Sequence, residues 1–207
     1  MDHYVITISR KFGSLGHEIA NCLGKELDVP VYDRSAVEAE VQSLGLEAKK
    51  RALLQLQAKD QESSREKQGG IFWWKKEQDT EEENQAKIMF ESQAEVLRGF
   101  AEKSSCVILG RGGDEVFRHY PKCLNIYLFA PDNVRLENCV RMLHTDEDTA
   151  RTLMRREDRA REAYRNKFCK QGSDPTHGRH LLIDTSVFGV SESTRMIREA
   201  AEYLFKL

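Results

Sequence analysis

Two glycines lie between an apolar segment near the start of the chain and a predicted helix, and this order of elements is typical of phosphate binding. Residues 4–8 predict a buried strand, the glycines come next, and an amphipathic stretch at about 17–27 predicts a helix. Glycine permits a close backbone approach, and a helix N-terminus offers unpaired N–H groups and partial positive charge. An ordinary tight turn is the alternative. The candidate phosphate- and ATP-binding residues are Ser9, Gly13, Ser14, Gly16, His17 and Glu18.

This loop departs from the phosphate-loop pattern G-x-x-x-x-G-K-[ST]. Lys11 rather than glycine stands five residues before Gly16, and His17 rather than lysine follows it. We therefore expect the geometry of a phosphate-binding turn without its usual charges.

A second glycine-rich turn contains an arginine. Residues 105–109 are apolar and predict a strand, which ends at Gly110-Arg111-Gly112-Gly113-Asp114. An arginine fixed beside glycines at a strand end can bind phosphate or carboxylate through two parallel hydrogen bonds. In the alternative interpretation, Arg111 forms a salt bridge with Asp114 and only shapes the loop.

The most basic part of the chain is a predicted helix near the C-terminus. Residues 151–170 contain eight Lys/Arg and three Asp/Glu, although the formal net charge of the whole chain is −2. Such a helix can be a solvated surface, but this local excess of positive charge favours an anionic partner. Nucleotide phosphates fit, because arginine neutralises the charge on phosphoryl oxygens during transfer. RNA would also be anionic, but no RNA-recognition motif is present.

Apolar runs alternate with helical periodicity along the chain. The predicted strands are 4–8, 29–32, 105–109, 123–129 and 180–184, and the predicted helices are 17–27, 36–68, 88–103, 132–143, 146–168 and 191–205. Strands without polar alternation are covered on both faces, as in a parallel sheet, so we predict a doubly wound α/β fold. Ligands of such folds bind beyond the carboxyl ends of the strands, where the glycine loop, Asp33, Arg111 and Asp114 all fall.

Residues 57–87 interrupt this order with charge, glutamine and the aromatic pair Trp73-Trp74. They predict a solvated excursion whose aromatic residues pack against the rest of the protein. The alternative is a substrate-facing cap or a contact with a partner.

Composition limits the classes of function. The chain has 207 residues, of which 40% are apolar and 32% charged, as expected for a soluble globular protein. We expect neither nucleic-acid nor membrane binding, and no leader or transmembrane segment is evident. The five cysteines form no Cys-x-x-Cys pair, which favours a reducing cytoplasm, and the six histidines lack metal-ligand spacing.

Taken together, these segments resemble the cytidylate kinase-like family, a divergent branch of the nucleoside monophosphate kinases with a P-loop NTPase fold. The resemblance runs nearly end to end, through the segments 6–20, 31–33, 90–101, 107–112, 130–135, 158–164 and 182–185. It implies a three-layer fold with a five-stranded parallel sheet in one kinase-like domain, 1–207. Within that domain it implies an insert of the nucleoside monophosphate-binding type at 36–87 and a lid-type region at 144–180.

The resemblance also implies roles for individual residues. The acceptor-binding residues would be Asp33, Ser35, Arg111, Asp158 and Arg161, and lid arginines correspond loosely to Arg155 and Arg159. An acceptor-phosphate arginine expected a few residues beyond Ser35 is absent. Arg10 or Lys11, acting with Arg155 or Arg159, would replace the missing lysine.

We therefore expect a cytoplasmic phosphotransferase that uses ATP and Mg²⁺ and acts on a small acceptor, such as the nucleoside monophosphate CMP. A nucleotide- or anion-binding regulator without transfer activity is the alternative, because a backbone cradle can bind phosphate without a lysine. A structural, oligomer-forming module is a third interpretation, and a homo-oligomer is compatible with each.

Overall fold

A parallel β-sheet forms the centre of the protein. The structure is a computed structural model that describes residues 3–45, 81–170, 172 and 174–207. Within those residues five strands pair in parallel in the order β2-β3-β1-β4-β5. They are β1 (Val5–Arg10), β2 (Val31–Tyr32), β3 (Cys106–Leu109), β4 (Cys123–Phe129) and β5 (Leu181–Asp184). The predicted parallel α/β sheet is confirmed.

Helices connect these strands in the predicted alternation, except that residues 81–87 are helical rather than part of the predicted excursion, and 113–116 form a short helix that was not predicted. They are α1 (Gly16–Glu26), α2 (34–45), α3 (Glu81–Lys103), α4 (Gly113–Val116), α5 (Asp132–Leu143), α6 (Glu147–Phe168) and α7 (Thr185–Phe205). The rest of the predicted helix 36–68 and the Trp73-Trp74 segment lie outside the described residues. None of the described helices is both long and apolar enough to cross a membrane.

Helix α7 begins earlier than the sequence indicates. The side chain of Asp184 accepts a hydrogen bond from the Ser186 amide at 3.0 Å, which caps a first helical turn at Thr185. Gly189 then breaks the helix with φ 61° and ψ −166°. The predicted helix 191–205 is therefore the longer, second part of α7.

The chain divides into two compact units, one formed by residues up to Ser35 together with Leu97–Leu207, and the other by Ala36–Val96. The predicted insert, 36–87, falls within the second. In the first unit, a cluster of buried aliphatic side chains from β1, β3, β4, β5, α1 and α7 forms the core. Because β1 lies between β3 and β4, its carboxyl end is held from both sides by buried strands.

Candidate functional site

The loop after β1 has the backbone shape of an anion-binding turn. Gly13 and Leu15 both have left-handed conformations, with φ 78° and φ 57°, and α1 begins at Gly16. The first amides of a helix have no intrahelical acceptor, so α1 contributes unpaired donors and partial positive charge here. The loop can therefore bind an oxyanion through its backbone.

Three successive carbonyl groups of this loop are bonded to side chains of the protein. The hydroxyl of Ser14 donates to the Lys11 carbonyl at 2.8 Å. Nη1 of Arg135 donates to the Phe12 carbonyl, and Nδ2 of Asn138 donates to the Gly13 carbonyl, both at 2.9 Å. The loop is thus fixed by its own serine and by α5.

Arg10, the last residue of β1, extends across the beginning of α1 to the end of β3. A Cβ atom at Gly16 would lie 3.0 Å from Cγ of Arg10, and one at Gly110 would overlap Nη1 of Arg10. Burial and the positive charges of Arg161 and Arg111 lower the pKa of Arg10 to about 9, although Asp33 opposes this shift. A guanidinium remains protonated at neutral pH even so. The lowered pKa therefore marks a cation that an anionic ligand would stabilise.

Arg161 and Arg111 each lie over an aromatic ring. The guanidinium carbon of Arg161 lies 5.4 Å from the centre of the Phe12 ring, and that of Arg111 lies 5.4 Å from the centre of the Tyr164 ring. Nη1 of Arg161 also donates to the Arg10 carbonyl at 3.1 Å. Burial lowers the pKa of Arg161, which indicates another incompletely compensated cation. The rings orient both cations without neutralising them.

Asp158 contacts the loop itself. Its Oδ1 accepts from the Phe12 amide at 2.8 Å, and its Oδ2 accepts from Nη1 of Arg135 at 2.7 Å. Nη2 of Arg135 donates to Asp132 at 2.6 Å. Burial works against the charge of Arg135, but its hydrogen bonds to the two carboxylates outweigh burial and raise its pKa. Unlike Arg10, Arg135 has its charge paired with two carboxylates.

Asp33, Ser35 and His17 form a polar group beside Arg10. The hydroxyl of Ser35 donates to Oδ1 of Asp33 at 2.7 Å, and Nε2 of His17 lies 3.8 Å from Oδ2 of Asp33. The structure thus brings two of the predicted acceptor residues together and places His17, at the position of the usual lysine, next to them.

The other predicted residues are distributed around this centre. Nζ of Lys11 pairs with Glu162 at 2.9 Å. Arg155 and Arg159 are exposed on α6, and Ser9 is buried at the end of β1. One carboxylate oxygen of Glu18 is buried and has no hydrogen-bond partner.

No group of three or more potential His, Cys, Asp or Glu metal ligands occurs among the described residues. Mg²⁺ in nucleotide sites is held by one or two carboxylates together with phosphate oxygens and water, so a full protein ligand set is not required. The unpartnered, buried oxygen of Glu18 fits the single carboxylate of such an arrangement.

Two sets of contacts were not predicted from the sequence. Arg135 and Asn138 are buried polar residues three positions apart on α5. Asp114 is likewise buried, and it pairs with Arg165 at 2.9 Å and with Arg179, whose side chain is fully buried. The sequence carries one signal of the first set. Arg135 and Asn138 lie on the same face of α5 as Leu136 and Cys139, where an amphipathic helix is expected to be apolar.

The strand order, the glycine loop and the helix that follows it define a P-loop NTPase-like α/β fold, and comparisons with known proteins agree. An uncharacterized protein from Eubacterium ventriosum ATCC 27560 is similar over 97% of this chain and 99% of its own, with 21% identity and a TM-score of 0.70. Shikimate kinase from Bacteroides thetaiotaomicron covers 99% of both chains, with 12% identity and a TM-score of 0.50.

A sequence profile of the cytidylate kinase-like family matches residues 5–187, and the chain belongs to this family. Proteins of curated function give no match.

Proposed function

We propose that this protein is an ATP-dependent phosphotransferase that transfers the γ-phosphoryl group to a small acceptor, and that the acceptor is a nucleoside monophosphate such as CMP. The observation that carries the proposal is the convergence of Arg10, Arg111 and Arg161 beside the amides of the glycine loop. Membership of a cytidylate kinase-like family supports it.

Phosphoryl transfer requires positioning and charge neutralisation rather than covalent participation by the protein. An acceptor oxygen attacks the γ-phosphorus, the bond to the β,γ-bridging oxygen breaks, and ADP leaves. A phosphate acceptor is already ionised near neutral pH, since its second pKa is about 6, so no general base is needed. This suits a site in which arginines predominate.

Each residue has a distinct part in this proposal. The loop amides and Arg10 bind the phosphates of ATP. Arg10 takes the role of the phosphate-loop lysine, because His17 stands at the position where that lysine usually occurs. Glu18 is the carboxylate that would hold Mg²⁺, which supplies further charge neutralisation when bound. Arg111 and Arg161, oriented by Tyr164 and Phe12, bind the acceptor phosphate and the transferring group.

Asp33 and Ser35 are proposed as acceptor-binding residues, because their mutual hydrogen bond holds them at the end of β2. The exposed arginines Arg155 and Arg159 are available to a nucleotide from α6. Asp158 contributes indirectly in this proposal, since both of its carboxylate oxygens are bonded to the loop and to Arg135.

The test is formation of ADP from ATP–Mg²⁺ with a panel of acceptors that includes CMP, UMP, AMP and shikimate. We expect turnover with a nucleoside monophosphate and little with shikimate. Arg111→Ala should lower turnover by about a hundredfold or more without changing the melting temperature by more than a few degrees. Unchanged turnover in this variant would remove Arg111 from the mechanism, and a wholly inactive panel would contradict the kinase proposal.

A nucleotide-binding regulator is the second candidate. This candidate is favoured because the loop has no lysine at the usual position, where His17 stands, and because its own lysine, Lys11, is paired with Glu162. Calorimetry separates the two: binding of ATP without formation of ADP for any acceptor favours the regulator.

A further inference from the structure

Helix α5 carries a row of polar side chains, two of which contact the glycine loop. Asp132, Arg135, Asn138 and Arg141 recur every three residues; Arg135 donates to Asp132, Arg141 donates to Asn138, and Arg135 and Asn138 donate to the loop. Arg135 and Asn138, at the centre of this row, have only 5% and 8% of their surfaces exposed. Burying such groups is favourable only when their donors find acceptors, and here loop carbonyls are among those acceptors.

These bonds determine where the loop amides point. In a trans peptide the C=O of one residue and the N–H of the next lie in one plane and point in opposite directions. Arg135 holds the Phe12 carbonyl, so the Gly13 amide is directed away from α5. Asn138 holds the Gly13 carbonyl, so the Ser14 amide is directed away from α5 as well.

Gly13 lets the loop lie close enough for these bonds. A Cβ atom at this position would lie 2.5 Å from the Arg135 carbonyl and 2.8 Å from Sγ of Cys139. The positive φ of Gly13, 78°, also favours glycine. Close packing against α5 and the turned amides are therefore parts of one arrangement.

We propose that Arg135 and Asn138 are positioning residues that direct the Gly13 and Ser14 amides toward a bound phosphate. Neither side chain needs to touch the ligand. This inference rests on the proposed function in one respect, namely that phosphate binds on the side of the loop opposite α5.

The test measures phosphate binding separately from phosphoryl transfer. Calorimetry with inorganic pyrophosphate and with ATP–Mg²⁺ is carried out on the full chain and on Asn138→Leu and Asn138→Asp. Both variants keep the approximate shape of asparagine and lose the donor to the Gly13 carbonyl. We expect the affinity for both ligands to fall about tenfold or more, with aspartate the worse because its carboxylate opposes the carbonyl oxygen.

Arg135→Lys is the second variant, since it retains the positive charge but cannot make all the hydrogen bonds of the guanidinium. We expect an intermediate loss of affinity for pyrophosphate. The steady-state signature is a change in KM for ATP and in kcat, with KM for the acceptor unchanged.

Ile197→Val is the matched control for stability, because Ile197 is fully buried in α7 and belongs to the core cluster. We expect this variant to melt at a lower temperature and to bind pyrophosphate as the parent protein does. If the Asn138 variants also lose only melting temperature and keep full affinity, their role is structural and the inference is overturned. If the parent protein binds neither pyrophosphate nor ATP, the proposed function fails, and the inference fails with it.

Discussion

Replacing Arg10 by methionine should stabilise the ligand-free protein while weakening its function. Methionine keeps an unbranched apolar stem over Gly16 but removes the guanidinium, whose pKa is lowered from its usual value to about 9 by burial and by neighbouring positive charges. A shift of that size corresponds to about 5 kcal/mol of unfavourable charge burial and repulsion. The variant also loses the packing contacts that the guanidinium makes near Gly110. We therefore expect a net gain smaller than this, about 1–4 kcal/mol in the free energy of unfolding.

The assay is thermal unfolding with and without ATP–Mg²⁺, followed by turnover measurements. For a chain of this length the expected stabilisation raises the melting temperature by about 2–4 °C per kcal/mol. In the same variant the shift induced by ATP should shrink, and turnover should fall by about a hundredfold or more. A stabilising change that abolishes activity is characteristic of a residue whose position serves ligand binding.

Arg135→Met is the matched control, because it removes another guanidinium from the same loop region. Arg135 is compensated by Asp132 and Asp158, which contribute to raising its pKa. Its removal leaves the partly buried Asp158 without its cation and should cost about 3–5 kcal/mol. The reasoning is refuted if Arg10→Met melts several degrees below the parent protein and binds ATP equally well, because Arg10 would then be structural.

Three further predictions concern residues around the same centre. Gly110→Ala should lower both stability and turnover, because Gly110 has φ 82° and a Cβ atom there would displace Arg10. Gly45→Ala is the control: Gly45 has φ 54° but a Cβ atom there would have no neighbour within 4 Å, so this variant should lose stability only. Asp114→Asn should lower the melting temperature near neutral pH, and its difference from the parent should shrink as the pH falls below about 4 toward the lowered pKa of the folded protein's Asp114 carboxyl. In the Arg10→Met background, His17→Lys should restore part of the ATP affinity by supplying a cation at the position of the usual lysine.

The sign of the Asp114 prediction follows from its environment. Burial raises the pKa of this carboxyl, but the hydrogen bond from Arg165 and the charge of Arg179 outweigh burial and hold the pKa below its usual value. A carboxyl with a lowered pKa contributes stability above its unfolded pKa and loses it as the pH falls through its folded pKa. Melting curves between pH 7 and pH 3 measure this directly, and a difference that grows on acidification would contradict it.

The sheet and the loop could be predicted because their signals are local. Residues 105–109 and 123–129 are apolar runs of strand length, and buried parallel strands need little else. Gly13 and Gly16 likewise mark a turn that requires small residues. Convergence of Arg10 and Arg111 on one edge then follows from strand order alone, since parallel strands end on the same side.

The pairing of individual charges could not be predicted in this way. Phe12 and Asp158 are 146 residues apart, and Phe12 and Arg135 are 123 apart, so no local periodicity relates them. The basic helix α6 contains several arginines of similar sequence context. Only the packing of α6 against the loop distinguishes Arg161, which lies over Phe12, from Arg155 and Arg159, which are exposed.

Ser14 is a second instance of the same difficulty. Its hydroxyl was a candidate phosphate ligand, but it donates to the Lys11 carbonyl, with the Leu128 carbonyl a further acceptor at 3.3 Å. A serine in a tight turn can bond to a ligand or to the backbone, and the sequence does not distinguish these outcomes. The contribution of Ser14 to a phosphate site is therefore proposed for its amide.

The most direct test of the central claim is a crystal structure of the protein with ADP and Mg²⁺. We expect the β-phosphate to lie within hydrogen-bond distance of amides in the segment 13–18 and of the Arg10 guanidinium, on the side of the loop opposite α5. Phosphates bound elsewhere, or bound at the loop with the Arg10 guanidinium turned away from them, would contradict that claim.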